Sequence, residues 1–248
     1  MLSRFFSNPA VYLKRLPVFL TGIFFDTFIK KYRYKKCIFE FPKEFTSVYD
    51  RGHSWLFGYE TPECILAQEY LPSDANLLEL GACIGVVSSV TNKILKTPKK
   101  HVVVEANEAI IPFLKANRNA NNCYFQIENG IISSHSQIKF FVNKSMVLSG
   151  LGRESAREII CCGLGMHELE QKHAITFDFL IMDIEGGEHA VIMDNIEYLS
   201  KNIRGIILET HPDLLGEAKI QEYESALYGA GFQKIRSLGN VEYFHRKP

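Results

Sequence analysis

Acidic residues and glycines at the ends of short apolar runs mark where this sequence could do chemistry. Leu77–Leu80 is a compact apolar run that carries Glu79 and leads into the turn Gly81-Ala82-Cys83-Ile84-Gly85. Glycine lets the backbone come close to a ligand that a Cβ would obstruct. The exposed amides at the start of the following helix favour a polar or anionic group. The turn therefore predicts a ligand-binding loop between a strand and a helix.

Two further positions extend that loop into a nucleoside site. Glu105 ends a valine-rich run and is placed to accept hydrogen bonds from ribose hydroxyls. Asn129-Gly130 follows a third run, where a base could lie against the backbone. The turn lacks the G-x-G-x-x-G spacing of nicotinamide dinucleotide sites. We therefore predict an adenosine site that serves a different cofactor.

A second polar group follows the most apolar run of the chain. Asp183 and Glu185 stand at its carboxyl end, where open α/β sheets bind ligands, and Glu209 and His211 follow the next run. A carboxylate or imidazole there could accept a proton from a hydroxyl group. Oxygen and imidazole ligands could also hold a divalent ion, but the same residues are equally usable without one, and we predict no metal. Glu188 is interpreted as a helix-capping residue.

An alternation of apolar and helical stretches must position these groups. Strands are predicted over 76–80, 101–105, 124–132, 177–184, 203–210, 232–238 and 241–245, and helices over 85–95, 108–120, 188–199 and 214–230. Continuous apolar strands alternating with helices favour an α/β fold whose mostly parallel sheet is covered on both faces. The terminal hairpin adds an antiparallel strand. Two extra strands, 139–143 and 158–162, flank a connection (144–157) that is interpreted as a functional loop.

The amino-terminal segment differs from the rest in charge. Residues 1–45 hold nine Lys or Arg against three acidic residues, although the whole chain is neutral. Proline at two helix starts predicts a helical extension. The basic and aromatic composition fits a peripheral membrane contact; an arm packed on the protein or on a second subunit, and a targeting peptide, remain alternatives. We place the boundary between a segment of residues 1–50 and a domain of residues 51–248.

Composition excludes several classes of protein. Lys and Arg equal Asp and Glu at 28 each, which argues against a dedicated nucleic-acid binder. The hydrophobic fraction of 46% argues against disorder. The six cysteines form no C-x-x-C pair, so neither a zinc site nor a disulfide framework is indicated. Free thiols fit a reducing compartment and hence the cytoplasm, with peripheral attachment to the inner face of the membrane as a further expectation.

The motifs and their order resemble a known family. Glu79 with the Gly81–Gly85 turn looks like motif I of class I S-adenosylmethionine-dependent methyltransferases. That turn, Glu105-Ala106-Asn107 and Asp183-Ile184-Glu185-Gly186-Gly187-Glu188 together resemble the FkbM methyltransferases, and Tyr59-Glu60 is similar to their Y-E element. The resemblance covers roughly residues 55–212. Departures from the family pattern are Cys83 for Asn, Ala106 for Pro, Glu79 for Asp and Met182 for Lys.

The resemblance implies a Rossmann-like fold and S-adenosyl-L-methionine as cofactor. It implies O-methylation, commonly of a sugar hydroxyl in a polysaccharide, glycolipid or secondary metabolite. Cofactor contacts are expected at Tyr59, Glu60, Glu79, Gly81, Ala82, Cys83, Gly85, Glu105, Ala106, Asn107, Asn129, Gly130 and Asp183. Catalytic roles are expected for Asp183 first, as base or acceptor-orienting residue, then Glu185 and His211.

Three functions stay open at this point. The first is a methyltransferase for a glycan or glycolipid acceptor, and the second is a methyltransferase for a small metabolite. The third is a membrane-docked binding module of the same fold without turnover. Cys83 makes the third conceivable, because it lacks the side-chain amide that could hold the methionine portion of the cofactor.

Overall fold

The computed structural model describes residues 9–142 and 157–247. The chain forms two compact units, Met1–Tyr59 and Glu60–Pro248. The predicted functional loop at 144–157 lies, except for Arg157, outside the described residues. In the part of the chain that is described, no helix combines the length and apolar composition that crossing a bilayer requires.

The first unit is a pair of packed helices with a short hairpin between them. It contains helix α1 (Pro9–Phe24), which continues into a π-helical turn (Phe25–Ile29), strands β1 (Tyr32–Tyr34) and β2 (Cys37–Phe39), and helix α2 (Val48–Phe57). Of the two helix starts predicted from proline, the first is confirmed because α1 begins at Pro9, and the second is wrong because α1 runs through Pro17. The antiparallel hairpin β1–β2 was not predicted. The predicted boundary at residue 50 stays a prediction, and α2 runs through that position.

The second unit is built on a seven-stranded sheet. Its strands are β3 (Leu77–Leu80), β4 (His101–Glu105), β5 (Gln126–Asn129), β9 (Phe179–Met182), β10 (Gly205–Glu209), β11 (Phe232–Leu238) and β12 (Val241–Arg246). They lie in the order β11-β12-β10-β9-β3-β4-β5. The five strands from β10 to β5 are parallel, and β12 pairs antiparallel with both β10 and β11. This confirms the predicted mostly parallel sheet with an antiparallel carboxyl-terminal strand.

Helices cover this sheet on both faces. They are α3 (Thr61–Tyr70), α4 (Val86–Asn92), α5 (Ile111–Ala120), α6 (Met166–His173), α7 (Glu188–Asn202), α8 (Pro212–Leu215) and α9 (Glu217–Gly229). Val102 and Val104 belong to one core with side chains of α6, α7 and α9. Val103, between them, belongs to a second core with Ile111 and Leu114 of α5. Since successive strand residues point to opposite faces, the two cores lie on opposite sides of the sheet.

A smaller sheet replaces part of what the sequence predicted as one long strand. The run 124–132 is divided at Gly130 into β5 and β6 (Ile131–Ile132), and β6 pairs with β8 (Arg157–Leu164). Strand β8 also pairs antiparallel with β7 (Gln137–Val142), where the two extra strands were predicted. The helix predicted over 214–230 is likewise divided, at Gly216, whose φ of +75° interrupts it.

Candidate active site

The turn after β3 contains backbone conformations that favour glycine. Gly81 has a φ of +85°, and a Cβ there would lie 1.6 Å from the carbonyl oxygen of Asp183. Gly85 has a φ of +83° and precedes α4. Cys83 also lies in the left-handed region, at a φ of +47°. Asn adopts this region far more readily than Cys, so the family's usual residue suits the turn better than the one present.

Glu105 ties two turns of the site together. One carboxylate oxygen accepts a hydrogen bond from the Cys83 amide at 2.8 Å, and the other accepts from the Asn107 amide at 2.7 Å. Burial raises the pKa of Glu105, while these two bonds act in the opposite direction. A carboxylate oxygen has more than one lone pair, so Glu105 keeps acceptor capacity, and its contact with a ribose stays a prediction. Its structural role in both turns was not evident from the sequence.

Asn107 gives an observation that fits a bound nucleoside. Its side-chain oxygen caps the short helical turn that follows, by accepting from the Ala109 amide at 3.2 Å. Its Nδ2 is buried and has no hydrogen-bond partner among the described residues. A buried donor without a partner costs roughly 1–3 kcal/mol. Asn107 Nδ2 therefore fits a ligand that supplies a hydrogen-bond acceptor at this position, as the hydroxyls and ring nitrogens of S-adenosylmethionine do.

Asn129 and Gly130 adjoin Glu105 but have partners within the protein. The Asn129 amide group donates to the carbonyls of Glu105 and Ala106 at 2.8 and 3.2 Å. A Cβ at Gly130 would lie 2.7 Å from the carbonyl oxygen of Cys162. The glycine is thus required by packing against β8. Contact of Asn129, Gly130 and Ala106 with a base stays a prediction.

The remaining predicted cofactor residues divide between the turn and the core. Glu60 accepts a hydrogen bond from the Val87 amide at 3.2 Å, in the first turn of α4. Glu79 is buried, and its carboxylate meets the Ser88 hydroxyl and, at 3.0 Å, the His101 ring. Ala82 is buried within the turn itself. Tyr59 is the last residue of the first unit. A cofactor contact for Glu79 stays a prediction, since both of its oxygens have protein partners.

The predicted catalytic residues meet at the carboxyl ends of β9 and β10. His211 Nε2 lies 3.5 Å from Asp183 Oδ1 and 3.8 Å from Glu185 Oε2. On the other side of the ring, His211 Nδ1 lies 2.8 Å from the fully buried Glu188. Glu188 also accepts from the Gly186 amide. Glu188 is therefore more than the helix cap that the sequence indicated, because it orients the imidazole.

Burial and charge alter the proton affinity of this group. Burial lowers the pKa of His211, but the hydrogen bond and charge of Glu188 outweigh it and leave the pKa raised. Burial raises the pKa of Asp183 well above its ordinary value, and the nearby charges of Glu209 and Glu63 raise it further. Both side chains are thus stronger bases than their free counterparts.

Glu63 was missed by sequence reasoning. It lies in the first turn of α3, where an acidic residue is ordinary, and no motif singles it out. In the fold it joins Asp183 and Glu209 in a group that we call the acidic cluster, whose nearest oxygens all lie within 4.8 Å of one another. Burial and the charge of Glu209 raise the pKa of Glu63 to about 8.

Two groups of side chains have the spacing of metal ligands. They are the acidic cluster and the set Asp183, Glu185 and His211. Both contain Asp183, so one ion would occupy the position that the proton acceptor needs. Protonation of Glu63 relieves the same charge repulsion without an ion.

The class of protein follows from the strand order, from the glycine turn and from the acid at the end of the second strand. An open, mostly parallel sheet whose carboxyl edge carries a glycine turn, an acid at the end of the second strand and a group of carboxylates with an imidazole is typical of class I S-adenosylmethionine-dependent methyltransferases. A sequence model described as Methyltransferase FkbM domain matches residues 79–239. The chain belongs to this family, and its cofactor is S-adenosylmethionine.

A solved structure agrees with the fold. A methyltransferase from Pyrococcus furiosus is similar at a TM-score of 0.50, with 10% identity over 93% of this chain and 95% of its own. An O-methyltransferase from Bacillus cereus in complex with SAH has a TM-score of 0.46, with 14% identity over 76% of this chain and 82% of its own. No curated protein matches the chain by sequence.

Proposed function

We propose that this methyltransferase transfers the methyl group to a sugar hydroxyl of a glycan or glycolipid. The observation that carries the proposal is the position of the Asp183 carboxyl group directly beside the glycine turn. The Asp183 carbonyl occupies the space where a Cβ of Gly81 would lie, so the Asp183 side chain starts at the cofactor loop. A hydroxyl is a poor nucleophile, and a positioned base that accepts its proton raises the rate by about 10²–10⁴.

Asp183 is the residue to which we assign the proton. Its Oδ1 is buried and has no hydrogen-bond partner among the described residues, so a lone pair is free for the acceptor hydroxyl. His211 Nε2 stands 3.5 Å away and stabilises the carboxylate before the proton arrives. Glu188 holds the ring in that orientation through Nδ1. S-adenosylmethionine supplies the methyl group.

The cysteines support a reducing location for the enzyme. All six lie in the described part of the chain, and none of them forms a disulfide bond. Burial raises the pKa of Cys161 to about 11, which makes it a poor nucleophile. We therefore propose that the enzyme works in the cytoplasm, where thiols stay reduced.

An acceptor panel tests the proposal. The full chain is incubated with S-adenosylmethionine that carries a labelled methyl group, and with polysaccharides, glycolipids and small hydroxylated metabolites in parallel. We expect label in a sugar-containing acceptor, as an O-methyl signal by NMR, and its loss in Asp183→Asn. Label confined to small metabolites would contradict the sugar assignment. Tight binding of S-adenosylhomocysteine with no transfer to any acceptor class would indicate a binding module instead.

A further inference from the structure

Helix α1 exposes an apolar stripe. Leu16, Phe19, Leu20, Ile23 and Phe24 recur at helical spacing, and each is exposed by 43% or more. On the other side of the same helix, Val18, Gly22 and Phe25 are buried. The helix therefore has two apolar faces, and packing among the described residues occupies only one of them.

The stripe extends into a larger surface through aromatic contacts. The Phe24 ring lies 5.0 Å from that of Phe28 and 5.9 Å from that of Trp55, measured between centroids. Trp55 lies in the last turn of α2 and is also exposed, so α2 contributes to the same surface. We call this surface the docking face; its members are Leu16, Phe19, Leu20, Ile23, Phe24, Phe28 and Trp55. Seven large exposed apolar side chains on one surface are more than a soluble protein needs.

Packing inside the unit prevents α1 from turning this face inward. A Cβ at Gly22 would lie 1.9 Å from the Val48 carbonyl oxygen, and one at Gly52 would lie 2.2 Å from that of Val18. The two helices thus touch backbone to backbone. Arg51 adds a two-pronged contact with Asp26 at 2.7 and 2.6 Å. Rotation of α1 would break both contacts, so the stripe stays exposed.

Exposed basic side chains directly follow Phe28 and Ile29 in the sequence. They are Lys30, Lys31, Arg33, Lys35 and Lys36, and no acidic residue lies among them. Lys35 and Lys36 form the two-residue turn between β1 and β2, with φ of 47° and 65°. Such turns favour Asn-Gly, because both central residues are left-handed. The chain instead places two lysines at the tip, at a conformational cost.

We propose that the docking face and these cations bind the surface of an anionic phospholipid bilayer. Aromatic and leucine side chains would enter the boundary between headgroups and acyl chains, and the lysines would lie near the lipid phosphates. Lipid accounts for the two features together, whereas a purely apolar partner would leave the cations unused. Binding to lipid does not require methyl transfer, so the inference is independent of the proposed acceptor.

Vesicle flotation of the full chain tests the charged part. We expect binding to vesicles of phosphatidylcholine with phosphatidylglycerol, and little binding to phosphatidylcholine alone or at high salt. Lys35→Asn with Lys36→Gly removes two charges and installs the preferred turn, so the fold is retained. Each lysine near the surface contributes about 1 kcal/mol, which predicts a roughly 30-fold lower partition coefficient. The matched control is Lys99→Asn with Lys100→Asn, an exposed pair in the second unit.

Glutamine substitutions test the apolar part. Leu20→Gln with Phe28→Gln should lower binding about tenfold for each side chain, since burying such a group stabilises by roughly 1.5–3 kcal/mol. Ile160→Gln with Ile235→Gln is the control, because both are exposed in the second unit. Equal binding to neutral vesicles, or no binding to either kind, would overturn the proposal. So would a dimer that Leu20→Gln dissociates in the absence of vesicle binding.

Discussion

The two units place charge and apolar surface in opposite ways. In the second unit, Glu63 and Glu188 are 4% and 0% exposed; Glu63 lies beside the proposed base, and Glu188 contacts the imidazole next to it. In the first unit, charge is mostly outside, and large apolar side chains cover an exposed face. Each arrangement opposes stability, because buried charge and exposed apolar area are both costly. The difference suggests two tasks: chemistry in one unit and attachment in the other.

Among the substitutions that should separate chemistry from attachment, Asp183→Asn should have the largest effect. The variant keeps the shape of the side chain but loses its basicity. Turnover should fall by about 10²–10⁴, while S-adenosylhomocysteine and anionic vesicles still bind. Asp194→Asn, an exposed change on α7, is the control and should have normal turnover. If His211→Ala costs more turnover than Asp183→Asn, the base belongs to His211.

Glu105→Ala should have the next largest effect. It removes the acceptor for the ribose hydroxyls together with the bonds to the Cys83 and Asn107 amides. The loss of one to two hydrogen bonds to a charged group, about 3 kcal/mol, predicts a roughly 150-fold weaker affinity for S-adenosylhomocysteine by calorimetric titration. The control Glu108→Ala is exposed. An unchanged affinity would contradict the assignment of Glu105 to the cofactor site. Altered vesicle binding would contradict the assignment of cofactor binding and membrane attachment to separate units.

Glu63→Gln should change how stability depends on pH. Because the pKa of Glu63 is raised from 4.5 to about 8, the folded state holds a proton that the unfolded state releases. This contribution is complete below pH 4.5 and is lost as the pH rises to about 8. The Tm of the wild type should therefore fall over that interval, and that of Glu63→Gln should fall less.

The control for this measurement is Glu217→Gln, an exposed residue on α9, which should follow the wild type. The same samples decide between a proton and an ion. We expect that a chelator changes neither Tm nor turnover. A Tm that rises with added Mg²⁺ or Mn²⁺ in the wild type, but not in Glu63→Gln, would identify the acidic cluster as a metal site.

Cys83→Asn should have the smallest effect, and a favourable one. Asn tolerates the left-handed conformation that Cys83 adopts at a φ of +47°. A gain of about 0.5–1 kcal/mol predicts a Tm higher by roughly 1–4 °C, with tighter binding of S-adenosylhomocysteine. Cys162→Asn, at an exposed position, should give neither change. A lower Tm in Cys83→Asn would show that the thiol has a packing role in the turn.

The sequence predicted the sheet and its carboxyl edge well, for a physical reason. Most of the parallel strands are apolar, and the candidate functional residues lie at their carboxyl ends: Glu105 is the last residue of β4, and Asp183 directly follows β9. Glu63 could not be predicted, because it reaches the acidic cluster from a helix through the tertiary fold. The hairpin β1–β2 was also missed, since Lys35-Lys36 lacks the turn residues that announce such a hairpin. Gly130 was recognised, but packing against β8 explains it without a ligand.

The contact between Gly81 and Asp183 links the two ligands of the enzyme thermodynamically. With the Asp183 carbonyl in the space of the missing Cβ, the glycine turn cannot shift without moving the backbone of the base. A cofactor that orders the turn therefore also orders the acceptor site. By linkage, each ligand then strengthens the binding of the other by the same factor. We expect S-adenosylhomocysteine to bind more tightly in the presence of the acceptor, and the acceptor to bind more tightly in the presence of S-adenosylhomocysteine, by the same factor.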